Sequence, residues 1–414
     1  MTTPGTEPSV LGRRLQLTRA GHWFAGNQDD PYALILRALR DDPTPYEEEI
    51  RARGPLFRSE LLDTWVTADG ALARSVLVDR RFGALTRAGA RHRADFLPPA
   101  GPELTHEHRR DEAGGAAAAG DRPVSAPREE AVEAVAEKAA WSLLGRLGAE
   151  FDLAADYARR LPALVLAELL KLPADVHGRF EDLLTGCGSG LDSRLCPQTL
   201  DVTRSGRLAA VELDRLLTRH LGGVAWSAPA ALALAVDVAE PSTTLICNAF
   251  EALAGVPEQW DALCRDTGLA GAAVEETLWW HPPVRLESRI AQEDVELAGV
   301  TVPADGHVVV LVAAAQRDPA IAPAHRGVDL GAGTGRGDVT ALPLSLPDAP
   351  HAAPAARIVR SVARAALRVL AQDAPGLRPD GEPVRRRRAP VTLTHARYPV
   401  ARTATGARTG RGTA

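Results

Sequence analysis

From about residue 128 to 280 the chain sets apolar residues at three- and four-residue spacing in one segment after another, the period of helices with one buried face. A chain patterned this way builds a mostly helical body. Helices are predicted over residues 129–147, 157–171, 205–221, 228–253 and 257–280. The period changes abruptly after the Pro282-Pro283 pair, which stops a helix because proline lacks the N–H donor and restricts the residue before it. Residues 294–302, DVELAGVTV, alternate around Gly299 and read as a hairpin, while residues 307–312 are β-branched and apolar and read as a buried strand. A weaker β signal lies at residues 64–68, TWVTA. The fold class expected is mainly α with small β elements (α+β).

With 414 residues the chain can bury a large core. A formal net charge of -5, with both signs mixed along most of its length, provides no field for nucleic acid or a membrane surface. The four-Arg run 385–388 is the exception, and with no aromatic residue interleaved it reads as a solvated surface stretch rather than a polyanion site. The first thirty residues lack the apolar core of a signal peptide, and no segment approaches about eighteen consecutive apolar residues, so a cytoplasmic protein is expected. Four cysteines, Cys187, Cys196, Cys247 and Cys264, have no CxxC spacing and suggest reduced thiols. Residues 113–127 and 327–337 read as surface loops, and the tail after Val400, with no apolar residue larger than alanine, reads as disordered.

Motifs for familiar chemistries are weak. GAGTGRG at 331–337 lacks the flanking strand, helix and distant acid of a dinucleotide loop. His106-Glu107-His108 could offer two imidazoles, yet no further ligands are placed around them and a solvated segment is the plainer reading. No GxSxG, HExxH or Cys/His pair supplies a hydrolytic centre.

The informative stretch is VEETLWWHPPVRLESRIAQEDVELAGVTVPADG at 274–306, continuing to AAAQRDP at 313–319. It closely resembles the K-helix and following β region of bacterial cytochromes P-450. AEPSTT at 239–244, inside a long apolar helix, resembles the oxygen-binding stretch of that family's central helix, and residues 357–370 its L-helix. The resemblance runs over about residues 30–400 and implies a cytochrome P-450-like fold with a long central helix and small sheets. Residues 1–29 then form an N-terminal arm and 401–414 a tail.

Cytochromes P-450 hold haem iron through a cysteine thiolate in a glycine-rich loop before the L-helix. Here no cysteine lies between Asp318 and Arg357, and the loop reads LPLSLPDAPHAAPAA, with His351 the one imidazole near the ligand position. The family's Glu-x-x-Arg pair becomes Glu276-Thr-Leu-Trp279, so Glu276 needs another donor or water. In the central helix Glu240 stands for the glycine above the haem, Pro241 follows it, and Ser242 takes the acidic relay position. The resemblance implies that Glu240 intrudes where oxygen would bind, that Pro241 kinks the helix, and that Glu240 and Trp279 fill the cavity. Thr243, at the oxygen-activating position, and Arg289, at a haem-propionate position, are retained, with His106 and Arg110 as a poorer match to other propionate contacts. The expectation is no cofactor, no metal and no catalytic residue.

One group of haem-less relatives is similar beyond the general pattern: the auxiliary proteins of glycosyltransferases that attach deoxyaminosugars in macrolide and anthracycline biosynthesis, typified by the partner of the erythromycin desosaminyltransferase. LGRRLQ at 11–16 with Arg19, His22-Trp23, Gly26 and Asp30-Pro31-Tyr32 resembles that group's opening; Pro375-Gly376-Leu377, VRRRR at 384–388, Pro390-Val391 and Pro399-Val400 resemble its ending. Membership implies a non-catalytic protein that binds, stabilises and allosterically activates its transferase, as a heterotetramer of two of each. Arg19, Trp23 and Phe24 are candidate partner contacts; packing of the arm against the domain is the other reading of them. A haem-binding monooxygenase with a substitute ligand and a small-molecule binder using the vacated haem pocket are the competing functions.

Overall fold

The computed structural model describes residues 8–39, 42–83, 86–87, 128–221, 228–322, 327–331 and 352–402. His106, Glu107, His108, Arg110 and His351, residues 113–127 and 332–337, most of the ligand-loop segment and the tail from 403 lie outside them.

The described helices are α1 (Pro8–Gly26), α2 (Pro31–Arg37), α3 (Thr44–Ala52), α4 (Gly70–Val78), α5 (Glu129–Leu144), α6 (Arg160–Leu169), α7 (His177–Cys187), α8 (Gly190–Ser193), α9 (Leu200–His220), α10 (Ala228–Ala254), α11 (Pro257–Arg265), α12 (Ala270–Trp280), α13 (Val312–Gln316) and α14 (Ala352–Asp373). α10 runs through the body and packs on α14, α9, α6 and α12; α14 in turn lies along α5. The α5/α14 seam shows how the sequence secures it. Ile358, Val359, Val362, Ala366 and Val369 are buried. Beside them Arg364 pairs with Glu129 and Glu133 (2.8 and 2.7 Å), and Arg368 pairs with Glu137.

The strands are β1 (Phe57–Ser59), β2 (Thr64–Thr67), β3 (Phe82–Gly83), β4 (Glu150–Asp152), β5 (Leu286–Ala291), β6 (Val295–Leu297), β7 (Val300–Val302), β8 (His307–Leu311), β9 (Leu377–Pro379), β10 (Val384–Arg385), β11 (His395–Arg397) and β12 (Pro399–Arg402). The main sheet has the order β1-β2-β8-β5-β3, with β2 and β8 parallel and the other pairs antiparallel. All five residues of β8 are buried, which explains its unbroken apolar run. β6 and β7 close over Ala298 and Gly299, both at positive φ (50° and 79°), as a two-residue hairpin turn requires.

Several boundaries differ from the periodicity. Residues 257–280 are two helices, because Asp266 adopts an extended conformation and its side chain accepts from Gly268 N to cap a single 3₁₀ turn. A π-helical turn, Leu153–Ala158, precedes α6, and α9 starts at Leu200, capped by Thr199. The N-terminal arm is a helix laid against α2 and α9. β12 continues to Arg402, two residues beyond the predicted edge of the domain, and Arg402 donates to Leu144 O (2.7 Å).

Candidate functional site

α10 holds the segment that by sequence resembles the oxygen-binding stretch of cytochromes P-450. The helix continues through Pro241, and Ser242, Thr243 and Thr244 are all buried. The Thr243 hydroxyl donates toward Ala239 O (2.9 Å) and Ala158 O (3.2 Å), fastening α10 to the π-helical turn before α6. Thr244 donates to Thr394 Oγ1 (2.9 Å), a fastening to the C-terminal strands. The Ser242 hydroxyl has no hydrogen-bond partner among the described residues. Through the Thr243 and Thr244 hydroxyls the helix is held by its neighbours.

Glu240 joins an ion network instead of pointing a bare carboxylate at an open cavity. Its Oε1 lies 2.8 Å from Arg386 Nη1, and Arg386 Nη2 lies 2.6 Å from Asp192 Oδ2. Asp192, in the short helix α8 between α7 and α9, is fully buried and also accepts from Val391 N (2.9 Å), Thr392 N (3.0 Å) and Thr392 Oγ1 (2.8 Å). Burial works against the Arg386 charge, but the Glu240 and Asp192 carboxylates outweigh it and raise the guanidinium's pKa. Gly188 gives Glu240 its room, since a Cβ there would come 2.9 Å from Glu240 Oε2. The void left between Gly188, Ala239 and Glu240 is about 10 Å³, space for at most one water. The network therefore joins the α7/α9 connection, the β10/β11 turn and the central helix in one charged cluster.

This corrects the reading of the four-Arg run as a solvated stretch. Arg386 is the centre of the network, and Arg385 pairs with Glu251 while donating to Leu393 O (2.8 Å) and Asn248 Oδ1 (3.2 Å). Arg387 is exposed. Carboxylates brought in from distant segments hold two of the four cations inside, which a local composition rule cannot foresee.

The K-helix positions fall on α12. Glu276 is buried and accepts from Asp329 N at 3.4 Å, so it finds the other donor its sequence context demanded. Trp279 is 1% exposed, and Gln316 Nε2 donates to the carbonyls of Trp279 (2.7 Å) and Leu278 (3.0 Å). Arg289, on β5, is buried against Glu287 (2.9 Å) and Ser288 O (3.0 Å). A further buried cluster, unsuspected from sequence, joins Glu47 to Arg285 (2.7 Å) and Arg317.

Among the described residues no side chain fits the role of a haem thiolate ligand. Burial pushes the Cys187 and Cys196 thiols up to about 12, Cys264 up to about 11 and Cys247 higher still, so none offers a thiolate at neutral pH. Both ring nitrogens of His307 are engaged, by Thr64 Oγ1 (3.1 Å) and Ser288 Oγ (2.7 Å). His395 stacks on Tyr398 and lies against Arg385 and Glu251. Among the described residues no group of His, Cys, Asp and Glu is arranged to hold a metal ion.

Arg19, Trp23 and Phe24 on α1 are all exposed. Arg37 steadies that end of the helix: it donates to His22 O (3.3 Å), Trp23 O and Asn27 Oδ1 (2.9 Å), and its guanidinium stacks over the Trp23 ring.

A long central helix flanked by α12 and α14 and a mixed sheet at one edge define a cytochrome P-450-like fold. The M. smegmatis P-450 CYP164A2, in its ligand-free crystal structure, superposes with a TM-score of 0.70 at 26% identity, covering 90% of this chain and 99% of that one. TylM3 of Streptomyces fradiae is 48% identical over 95% of this chain and 93% of its own length. EryCII of Saccharopolyspora erythraea, described as a cytochrome P-450 family protein, is 33% identical over 97% and 99%. The chain belongs to the cytochrome P-450 family, with TylM3 and EryCII among its relatives. No protein-family model matches it. No helix among the described residues is long and apolar enough to cross a membrane.

Proposed function

We propose that this protein is a haem-less, non-catalytic auxiliary partner that binds, stabilises and allosterically activates a deoxyaminosugar glycosyltransferase in macrolide or anthracycline biosynthesis. The observation that carries the reading is the network of Asp192, Arg386 and Glu240. It sets a buried salt bridge on the central helix where oxygen chemistry needs open space, and it ties the α7/α9 connection down. The sequence adds that no cysteine lies between Asp318 and Arg357. The likeness to TylM3 and EryCII over nearly the whole chain is consistent with the auxiliary group that the opening and ending segments resemble.

Activation then needs no reacting group. A partner that prefers the active transferase conformation by about 1.4 kcal/mol shifts its population tenfold. A body held by internal charge pairs loses little freedom when it docks, which leaves more of the contact energy for that preference. Arg19, Trp23 and Phe24 are the proposed anchors, of the residue types that dominate interface energetics. The assembly is a heterotetramer of two auxiliary chains and two transferases in the cytoplasm.

Co-expression with the pathway's glycosyltransferase, followed by size-exclusion chromatography with light scattering, tests the reading. Co-elution at the mass of two plus two chains is expected. Separate elution of the two proteins overturns it.

A further inference from the structure

α1 has a second face. Together with α2, the β1/β2 turn and the β7/β8 turn it encloses a cleft of about 550 Å³, within the usual size of small-molecule sites, roughly 300–1,000 Å³. The cleft is separate from the Glu240 network. Leu36, Leu62 and Leu195 give it apolar walls, and half-exposed Leu61 stands at its mouth.

Two buried polar groups line it. The His22 ring is 5% exposed and Tyr32 is 1% exposed, so both bring polar atoms to the cleft wall from buried positions. Leaving such a group unsatisfied costs about 1–3 kcal/mol, so an occupant of the cleft that offers both of them hydrogen bonds is favoured. The charges at the rim are already balanced. Arg58 is held by Asp63, and Asp305 accepts from Arg87 (3.2 Å). Burial, helped by the Arg37 charge, lowers His22 to about 4, so its ring is neutral and offers one donor and one acceptor.

We infer that this cleft binds a neutral amphipathic small molecule, an aliphatic or alicyclic frame bearing hydroxyl or carbonyl oxygens, with His22 and Tyr32 hydrogen-bonded to two of those oxygens. The apolar walls take the frame, and the pairing of the rim charges among the described residues disfavours an ionic ligand. The inference stands apart from the proposed activator role, because binding needs no second protein.

Isothermal titration of the full chain alone, with two neutral hydroxylated probes, hydrocortisone and a fourteen-membered polyhydroxylated macrolactone, provides the test. At least one probe is expected to bind saturably at one site. Affinity should fall about three- to tenfold in His22→Phe and in Tyr32→Phe, the loss of one hydrogen bond each. Gly21→Phe is the second variant. Gly21 lines the cleft and a Cβ there meets nothing within 4 Å, so the position has room for a larger side chain, which narrows the cleft and lowers affinity about tenfold while the thermal midpoint holds. Saturation by neither probe up to about 1 mM, or an affinity unchanged by Gly21→Phe, overturns the inference.

Discussion

Arg386→Met isolates the charge network. Methionine keeps the apolar stem and removes the guanidinium that faces both carboxylates. Asp192 keeps three hydrogen bonds, from Val391 N, Thr392 N and Thr392 Oγ1, so most of the penalty falls on Glu240, left buried without its counter-ion. Breaking a buried pair by removing one partner costs about 3–5 kcal/mol. The Arg386 side chain is 25% exposed, and partial screening favours the lower end, about 3 kcal/mol. With unfolding entropy near 2.1 cal/mol/K per residue, 414 residues turn this into a drop of roughly 3–4 °C in Tm. Urea and thermal unfolding measure it. Glu240→Gln in the same background should recover part of the loss, with a coupling of about 1–2 kcal/mol in the double-mutant cycle. A single-variant effect within about 0.5 kcal/mol of zero and no coupling would refute the network as a structural element.

Other outcomes follow from single residues. Burial, helped by the Arg37 charge, lowers His22 to about 4, whereas the unfolded chain titrates it near 6.5. The unfolded state therefore binds more protons between those values. Its contribution to stability is full above pH 6.5 and is lost as pH falls toward 4, at up to roughly 1.4 kcal/mol per pH unit. Urea unfolding at pH 7 and pH 5 measures the loss, which His22→Phe should reduce. Trp279→Ala empties a fully packed site and should cost about 3–5 kcal/mol by the same assay. Trp23→Ala and Phe24→Ala remove exposed rings, so Tm should shift little while co-elution with the transferase weakens at least tenfold.

Local pattern carried much of the fold. The α5 and α10 starts, the β6/β7 hairpin and the buried β8 strand were legible because each is decided by its own periodicity or turn residues. The break at Asp266 was not, since the apolar spacing continues on both sides and only a side-chain cap marks it. At the candidate site the altered positions Glu240, Pro241, Ser242, Glu276 and Trp279 could be singled out by resemblance, but their surroundings could not. Arg386 meets Asp192 from 194 residues away, and nothing in the local string GLDSRL marks Asp192 as the buried acceptor of four hydrogen bonds. A signal was nevertheless present. Four adjacent arginines beside the apolar run PVTLTH could have prompted a search for buried acids, and Glu240, an acid in an apolar helix, needed a cation. Glu47, paired with both Arg285 and Arg317, was hidden for the same reason: such clusters form across segments that share no period.

The most direct test is sugar transfer by the pathway's glycosyltransferase at fixed concentration, assayed with and without this protein under matched conditions. A large rise in transfer rate when the protein is added, with no turnover by the protein alone, is the predicted result. An unchanged rate, or substrate oxidation by the isolated protein, contradicts the account.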